Sequence, residues 1–502
     1  MSATLPSPND SRLGRIGCVL APLLAIIAYV ALGAVDAPLA EPARRVAAVV
    51  ILMATWWLTE AIPLAATALV PLFLFPLLGV SGIQQTAAPY ADPLIFLFLG
   101  GFLLGIAFES SGLHRRIALL TLRLVGSRPA SLVAGVMVAT AIMSMWVSNT
   151  ASTIMMVPIA ASLAAISTSR STELPDPPAR RAFAVCLYLG IAYAASLGGM
   201  GTPIGTPPNA IAFARLSEHS DHPINFRAWM IAAVPLILIL LPLIWLLLTR
   251  LLFPIHTLPP LADRSFVRAR LRELGRPSNH EWTTLAVFLL AVLFWIAREP
   301  LCRILGLVDL TAGAAPKPRL SDAGIAIGAA LLLFLLPTGP RSSPFVLSLP
   351  HFARVPWSIL VLFGGGLSLA QAMDASGLTD AAGTLFRSLS GLPLIVILLL
   401  TALLVTFLSE LASNTAVAAT LVPILDAAAR TLDMPAELLI IPATLACSFG
   451  FALPVATPPN AIVYATGQIG LRDLMRAGIV VDLVCVVVLA VLYSLFGRYL
   501  LG

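Results

Sequence analysis

The sequence predicts an all-α polytopic membrane protein, with about eleven transmembrane helices plus two re-entrant hairpins arranged as two inverted-topology repeats. Composition, recurring apolar runs and a duplicated polar motif carry that prediction. Of 502 residues, 59% are hydrophobic and 11% charged, with mean hydropathy +0.96; a soluble domain holds about 25% charged residues. Ser-Asn-Thr occurs at 148–150 and again at 413–415, and each copy is followed by Thr-Pro-Pro-Asn, at 206–209 and 457–460. Unwound, polar backbone is tolerated at membrane depth only where it is buried or lines a cavity, so a duplicated helix-breaking motif points to a transport site.

Taken in order, apolar runs long enough to cross a bilayer lie at 17–35, 46–59, 63–80, 93–108, 182–213, 229–254, 281–298, 322–337, 355–373, 437–465 and 478–500. The first follows Arg12 and Arg15 but is long for a cleaved signal peptide, so it reads as a retained anchor. Trp56-Trp57 closes the second span and reads as an interfacial anchor. Two further stretches, 131–166 and 394–428, each hold a Ser-Asn-Thr between two short apolar arms and are expected to be the hairpins. Residues 1–45 form the N-terminal segment and first span, 46–254 the first repeat, 255–280 a cytoplasmic linker and 281–502 the second repeat. With the N-terminus inside, most of the 30 Lys and Arg fall on the cytoplasmic side, a modest bias. The net charge of +6 then reflects orientation, and the absence of a concentrated basic face argues against nucleic acid as a partner. All five cysteines stand apart, which suggests neither disulfides nor a zinc site.

The duplication extends past the motifs. Ser148–Ile159 (SNTASTIMMVPI) matches Ser413–Ile424 (SNTAVAATLVPI) at a spacing of 265 residues, and Ser111-Gly112-Leu113 matches Ser376-Gly377-Leu378 at the same spacing. At Thr-Pro-Pro-Asn the spacing falls to 251, the difference being a polar insertion, Ser167–Arg181, in the first copy. Each repeat holds five full spans, and an odd number forces the second copy to start from the opposite face. After the fourth span, Leu113, Ile117, Leu120 and Leu124 fall at helical spacing, as do Leu378, Ala382, Leu385 and Leu389; both read as short amphipathic helices, and the first, with His114, Arg115, Arg116 and Arg123 off the stripe, is expected in the interface plane, a plain connecting loop being the alternative.

Segments 141–159, 196–213, 407–425 and 447–464 contain no Lys, Arg or His but many hydroxyls, amides, glycines and prolines. Such groups coordinate hard cations through oxygen and donate to anions through N–H and O–H. Pro207-Pro208 and Pro458-Pro459 cannot lie inside a continuous helix, so both spans are expected to break near Gly205-Thr206 and Ala456-Thr457. Breaking frees helix N-terminal amides, which favour anions, and unwound carbonyls, which favour cations. An anion bound there with no basic side chain in reach needs helix termini and co-bound cations to offset its charge, a hint of cation coupling. Taken singly, Ser-Asn-Thr is an ordinary turn or N-cap and Pro-Pro an ordinary kink; duplication at matched spacing is what favours function. Glu60 and Glu410 are either relay groups or structural carboxylates capping backbone amides, and the structural reading is preferred. His280-Glu281 opens a zinc-protease pattern that the following residues do not complete.

Trp56–Leu64 (WWLTEAIPL), the two Ser-Asn-Thr copies, Gly198–Asn209 and Leu453–Asn460 together resemble the divalent anion/sodium symporter family, over residues 45–500. The resemblance implies a homodimer of eleven spans and two hairpins in each subunit, with a static scaffold (spans one to four and seven to nine) and a transport domain that carries the hairpins across the membrane. It implies one sodium site at Ser144, Ser148, Asn149 and Gly205 and an inverted partner at Ser409, Ala412, Asn414 and Ala456. It also implies that the substrate carboxylates meet Asn149, Thr150, Thr206, Asn414, Thr415 and Pro458. Pro203, where an apolar residue is usual, and Ser409, where threonine is frequent, are its departures from the pattern.

The resulting expectation is a bacterial plasma-membrane symporter that carries C4-dicarboxylates such as succinate, malate or fumarate with sodium as the coupling ion, has no catalytic residues and needs no cofactor. A sodium-independent exchanger and a citrate or sulfate carrier remain open within the family. An anion channel is the alternative of a different class, and an intramembrane enzyme is disfavoured because no catalytic dyad, metal cluster or phosphate loop is visible.

Overall fold

The computed structural model describes residues 12–34, 39–124, 126, 128–169, 177–219, 224–255, 258, 271–309, 317–338, 344–379, 381, 386 and 391–500. The first half begins with α1 (Arg12–Ala34), α2 (Glu41–Thr59), α3 (Leu64–Thr67), α4 (Val70–Leu77), α5 (Ile83–Ala87) and α6 (Pro93–Ser110). The expected third span is therefore broken into α3 and α4. Pro71 has no N–H to donate to the carbonyl one turn earlier, so the ladder stops there. The half continues with α7 (Leu113–Leu124), α8 (Pro129–Ser144), α9 (Asn149–Ser169), α10 (Pro177–Gly199), α11 (Pro207–His219) and α12 (Phe226–Leu246), whose last turns, Leu247–Leu252, widen to a π-helix.

The second half holds α13 (Asn279–Ile296), α14 (Arg298–Ile304), a two-residue strand pair β1 (Val308–Asp309) and β2 (Lys317–Pro318), α15 (Asp322–Leu335), α16 (Leu349–Ala353), α17 (Trp357–Ala375), α18 (Leu394–Leu411), α19 (Asn414–Thr431), α20 (Glu437–Ala446), α21 (Pro458–Ala465) and α22 (Leu471–Leu500). Eight of the described helices are long and apolar enough to cross a bilayer, and five shorter ones are apolar.

Burial runs against hydropathy, as it does when lipid is the outer solvent. The span Gly14–Ala34 is only 11% buried, whereas Pro178–Gly199 is 89% buried and is the less apolar of the two. Lipid tails are as apolar as leucine, so the interior is held by close van der Waals packing of small residues rather than by expulsion of water. In α10, Ala192, Ala194, Ala195 and Leu197 are fully enclosed, and α10 packs along both α8 and α9.

Two expectations need correction. Trp57 is not an interfacial anchor: it is wholly buried, and its indole N–H donates to the Leu64 carbonyl, because the chain turns back at α3 and covers it. The first amphipathic helix exists as α7, but its inward face includes Leu113, His114, Ala118 and Leu119, while Leu120 is exposed. His114 turns inward because its Nδ1 is 2.9 Å from the Phe108 carbonyl at the end of α6. Of the second stripe, Leu378 is buried; Ala382, Leu385 and Leu389, and most of the 255–280 linker, lie outside the described residues.

Candidate functional site

Both Ser-Asn-Thr copies sit at helix–turn–helix tips, α8–α9 and α18–α19, and both Pro-Pro pairs begin helices after unwound loops. The loops run from Met200 to Thr206 and from Cys447 to Thr457, so the two spans break where the prolines demand it. Each loop is secured from within. Asn209 Nδ2 donates to the carbonyls of Gly199 (2.9 Å) and Thr202 (2.8 Å), and Asn460 Nδ2 donates to those of Gly450 and Leu453 (both 3.0 Å). These amides account for backbone acceptors that an intact helix would have satisfied.

The four motifs meet at one cavity of about 730 Å³. Its walls include Ser148, Asn149, Thr150, Gly205, Thr206, Ala412, Asn414, Thr415, Ala456 and Pro458, which are ten of the residues expected at the site. Ser144 and Ser409, the other two, lie wholly buried at the ends of α8 and α18, one turn behind the tips. Helices α9, α11, α19 and α21 all begin at this cavity, so four positive dipole ends and their free N–H groups converge on it. That arrangement favours an anion.

Behind each tip the chemistry suits a cation. Ser144 Oγ is 2.7 Å from both Asn149 Oδ1 and the Ala195 carbonyl. One hydroxyl hydrogen cannot serve two acceptors at once, so this oxygen cluster is short of positive charge. The repeat-related atoms Ser409 Oγ and Asn414 Oδ1 are buried with no hydrogen-bond partner. Unpaired buried oxygens are costly unless something positive meets them. Both sets offer oxygens of the kind that a hard cation takes as ligands. The crowding is specific: a Cβ on Gly199 would come within 2.3 Å of Asn149 Oδ1, and one on Gly205 within 2.3 Å of the Gly199 carbonyl. No cluster of three or more His, Cys, Asp or Glu is found among the described residues.

The hairpins and loops are joined differently in the two halves. In the first, the Thr202 hydroxyl donates to the Met145 carbonyl. In the second, Glu410, which corresponds to Met145 at the 265-residue spacing, accepts from the amides of Ala452 (2.7 Å) and Leu453 (2.9 Å). Glu410 thus caps two loop amides, as the structural reading expects. Glu60 instead ends α2 in a left-handed conformation, φ 48°, and lines the cavity.

Sequence reasoning missed the charges on the facing wall. Glu109, at the end of α6, and Arg354, before α17, line the cavity and pair at 2.8 Å. Among the described lining residues Arg354 is the one cation. On α16, burial and then the Arg354 charge lower the His351 imidazole from its usual value, which keeps it neutral near pH 7. One signal was available: Glu109 precedes Ser-Gly-Leu by two residues, and so does Asp374, at the 265-residue spacing.

The fold and cavity define a multi-pass membrane protein with a polar internal cavity, and the family and relatives that it matches make it a transporter rather than an enzyme. A family model described as the sodium:sulfate symporter transmembrane region matches residues 18–502. The chain belongs to that family, the divalent anion/sodium symporters. It is 36% identical over 492 residues to the sodium-dependent dicarboxylate transporter SdcS of Staphylococcus saprophyticus, covering 97% of this chain and 92% of that one. It is 36% identical over 481 residues to the SdcS of Staphylococcus aureus strain NCTC 8325, covering 95% and 90%. Among solved structures, the Alcanivorax borkumensis YdaH transporter superposes with TM-score 0.60 at 17% identity, covering 98% of this chain and 99% of that one; Neisseria gonorrhoeae MtrF does so with 0.54 at 15%, covering 98% and 96%. At those identities the likeness concerns the fold.

Proposed function

We propose that the protein is a sodium-coupled symporter of C4-dicarboxylates. The observation that carries this reading is the pairing, in each half, of an electron-rich oxygen cluster with helix N-termini opening on one shared cavity. The clusters at Ser144, Ser148, Asn149 and Gly205 and at Ser409, Ala412, Asn414 and Ala456 each take a sodium ion. The dianion lies between the tips, one carboxylate toward Asn149, Thr150 and Thr206 and the other toward Asn414, Thr415 and Pro458. Sodium brings the charge that offsets the substrate's, so neither binds well alone, which is the physical basis of coupling. The dicarboxylate reading draws on the relatives' names and on the two intact Ser-Asn-Thr copies.

Under this reading the hairpins, α10–α12 and α20–α22 form a transport domain that moves as a body against a scaffold of α1–α6, α13, α15 and α17, in a homodimer of the bacterial plasma membrane. With the N-terminus cytoplasmic, the cavity mouth at Glu60, Glu109 and Arg354 faces the cytoplasm. The test is uptake of labelled succinate by proteoliposomes under an inward sodium gradient, then with choline in its place. Accumulation only with sodium supports symport. Uptake that needs internal dicarboxylate and ignores sodium makes the protein an exchanger, and failure in both conditions favours citrate or sulfate as substrate.

A further inference from the structure

Arg215 on α11 lies outside the cavity site and is 3% exposed, enclosed by carboxylates from two other elements. Its Nη1 donates to Asp374 Oδ2 at 2.8 Å and its Nη2 to Asp374 Oδ1 at 3.1 Å, a two-pronged grip on the C-terminal end of α17. Its Nε donates to Asp426 Oδ2 of α19 at 3.0 Å, and Nη2 also reaches that oxygen. Thr379 Oγ1 donates to Asp374 at 2.6 Å, and Arg430 Nη2 to Asp426 at 3.0 Å. Asp426 and Arg215 belong to elements assigned to the moving part, and Asp374 to an element of the static part. Beside the joint, between α11, α17 and α19, is a void of about 20 Å³, room for one water.

The repeat makes this joint one-sided. Asp374 corresponds to Glu109 at the 265-residue spacing, so both halves keep a carboxylate at this place. Arg215 corresponds to Thr466 at the 251-residue spacing, and Asp426 to Ala161 at 265. An exchange of the two halves' arrangements therefore sets Glu109 against a threonine hydroxyl and an alanine methyl, with no guanidinium. Glu109 instead takes Arg354, from its own side of the cavity.

We infer that Arg215 is a positioning residue of the transport cycle: its bridge to Asp374 locks the moving part to the static part in the arrangement seen here, and the opposite arrangement has no equivalent lock. This inference rests on the two-part reading above. A planar guanidinium with both edges bonded holds direction as well as charge; Asp374 is 22% exposed but Arg215 only 3%, so parting them leaves the buried guanidinium short of one of its two carboxylates. The bridge opens once per cycle, so it sets how the two arrangements are populated without touching substrate.

The test uses Val455→Cys, on the cavity wall and 81% exposed, with Cys18→Ser to remove the exposed native thiol. A membrane-impermeant thiol reagent is applied from either side of oriented vesicles. Asp374→Asn removes one partner while Asp426 still answers the buried charge, and Arg215→Lys keeps the charge but loses the two-pronged grip. Labelling from the side opposite the present cavity mouth should rise roughly tenfold in both, Asp374→Glu should restore much of the original sidedness, and turnover should change more than the sodium dependence. Unchanged sidedness in both variants, while sodium and succinate shift it in the parent, overturns the lock and leaves the two-part reading intact. A sidedness that neither ligands nor variants alter overturns the two-part reading itself.

Discussion

Asn209 and Asn460, 251 residues apart, make the same two hydrogen bonds to repeat-related carbonyls in opposite halves of the molecule. Each is fully buried, and each Oδ1 has no hydrogen-bond partner. An unwound segment inside a membrane protein must have its acceptors satisfied by side chains, and in both halves one asparagine does so for two carbonyls. The conserved offset shows that the broken loops, and not merely the letters around them, are duplicated.

Replacing either asparagine by alanine should therefore lower stability by a similar amount, about 1–3 kcal/mol for each buried carbonyl left unpaired. Thermal unfolding of the purified variants in detergent, followed by loss of the monodisperse peak, measures this. A large loss for one and none for the other would contradict the equivalence of the two loops.

Ser144→Ala and Ser409→Ala each remove one oxygen from a proposed cation cluster while leaving the cavity wall intact. The sodium concentration for half-maximal succinate uptake should rise several-fold, roughly 1 kcal/mol in coupling, with the succinate KM at saturating sodium nearly unchanged. A rise in succinate KM with normal sodium activation would place these hydroxyls at the substrate instead.

Arg354→Gln leaves Glu109 uncompensated beside the path of a dianion. Both side chains are partly exposed, 45% and 39%, so the penalty is screened to the order of 1 kcal/mol, a several-fold increase in succinate KM. The double variant with Glu109→Gln should recover much of that loss. Uptake kinetics across the four combinations give the coupling directly, and additive effects would mean that the pair does not act together.

Glu410→Ala frees the buried amide of Ala452, at a cost of about 1–3 kcal/mol, and the half-buried amide of Leu453, at a smaller one. Glu410→Gln keeps one acceptor oxygen and should fall between the parent and alanine. Unfolding temperatures rank the three proteins; an unaffected melting point with lost sodium dependence would assign Glu410 to ion transfer rather than to loop support.

Much of the site was legible because its information is local and duplicated. Ser-Asn-Thr and Pro-Pro act on their own stretch of backbone: proline has no N–H wherever it lies, so helix breaks follow from the letters. The same holds for the hairpin arms and for the order of the spans, which follow from runs of apolar residues. Trp57 was misread because its neighbours in sequence resemble a membrane boundary, whereas α3 folds over it.

By itself, then, the sequence determined the membrane class, the two related halves, the broken helices and most of the uncharged oxygen-bearing residues that line the cavity. The tertiary structure decided which distant charges meet: Glu109 with Arg354, and Arg215 with Asp374 and Asp426. It also decided that the oxygens of Ser409 and Asn414 stay unpaired while those of Ser144 and Asn149 touch. The physical reason is range. Helix breaking and hydropathy act within a few residues along the chain, whereas an ion pair acts across a few ångströms of space, and the packing of α6, α11, α17 and α19 sets which residues share that space.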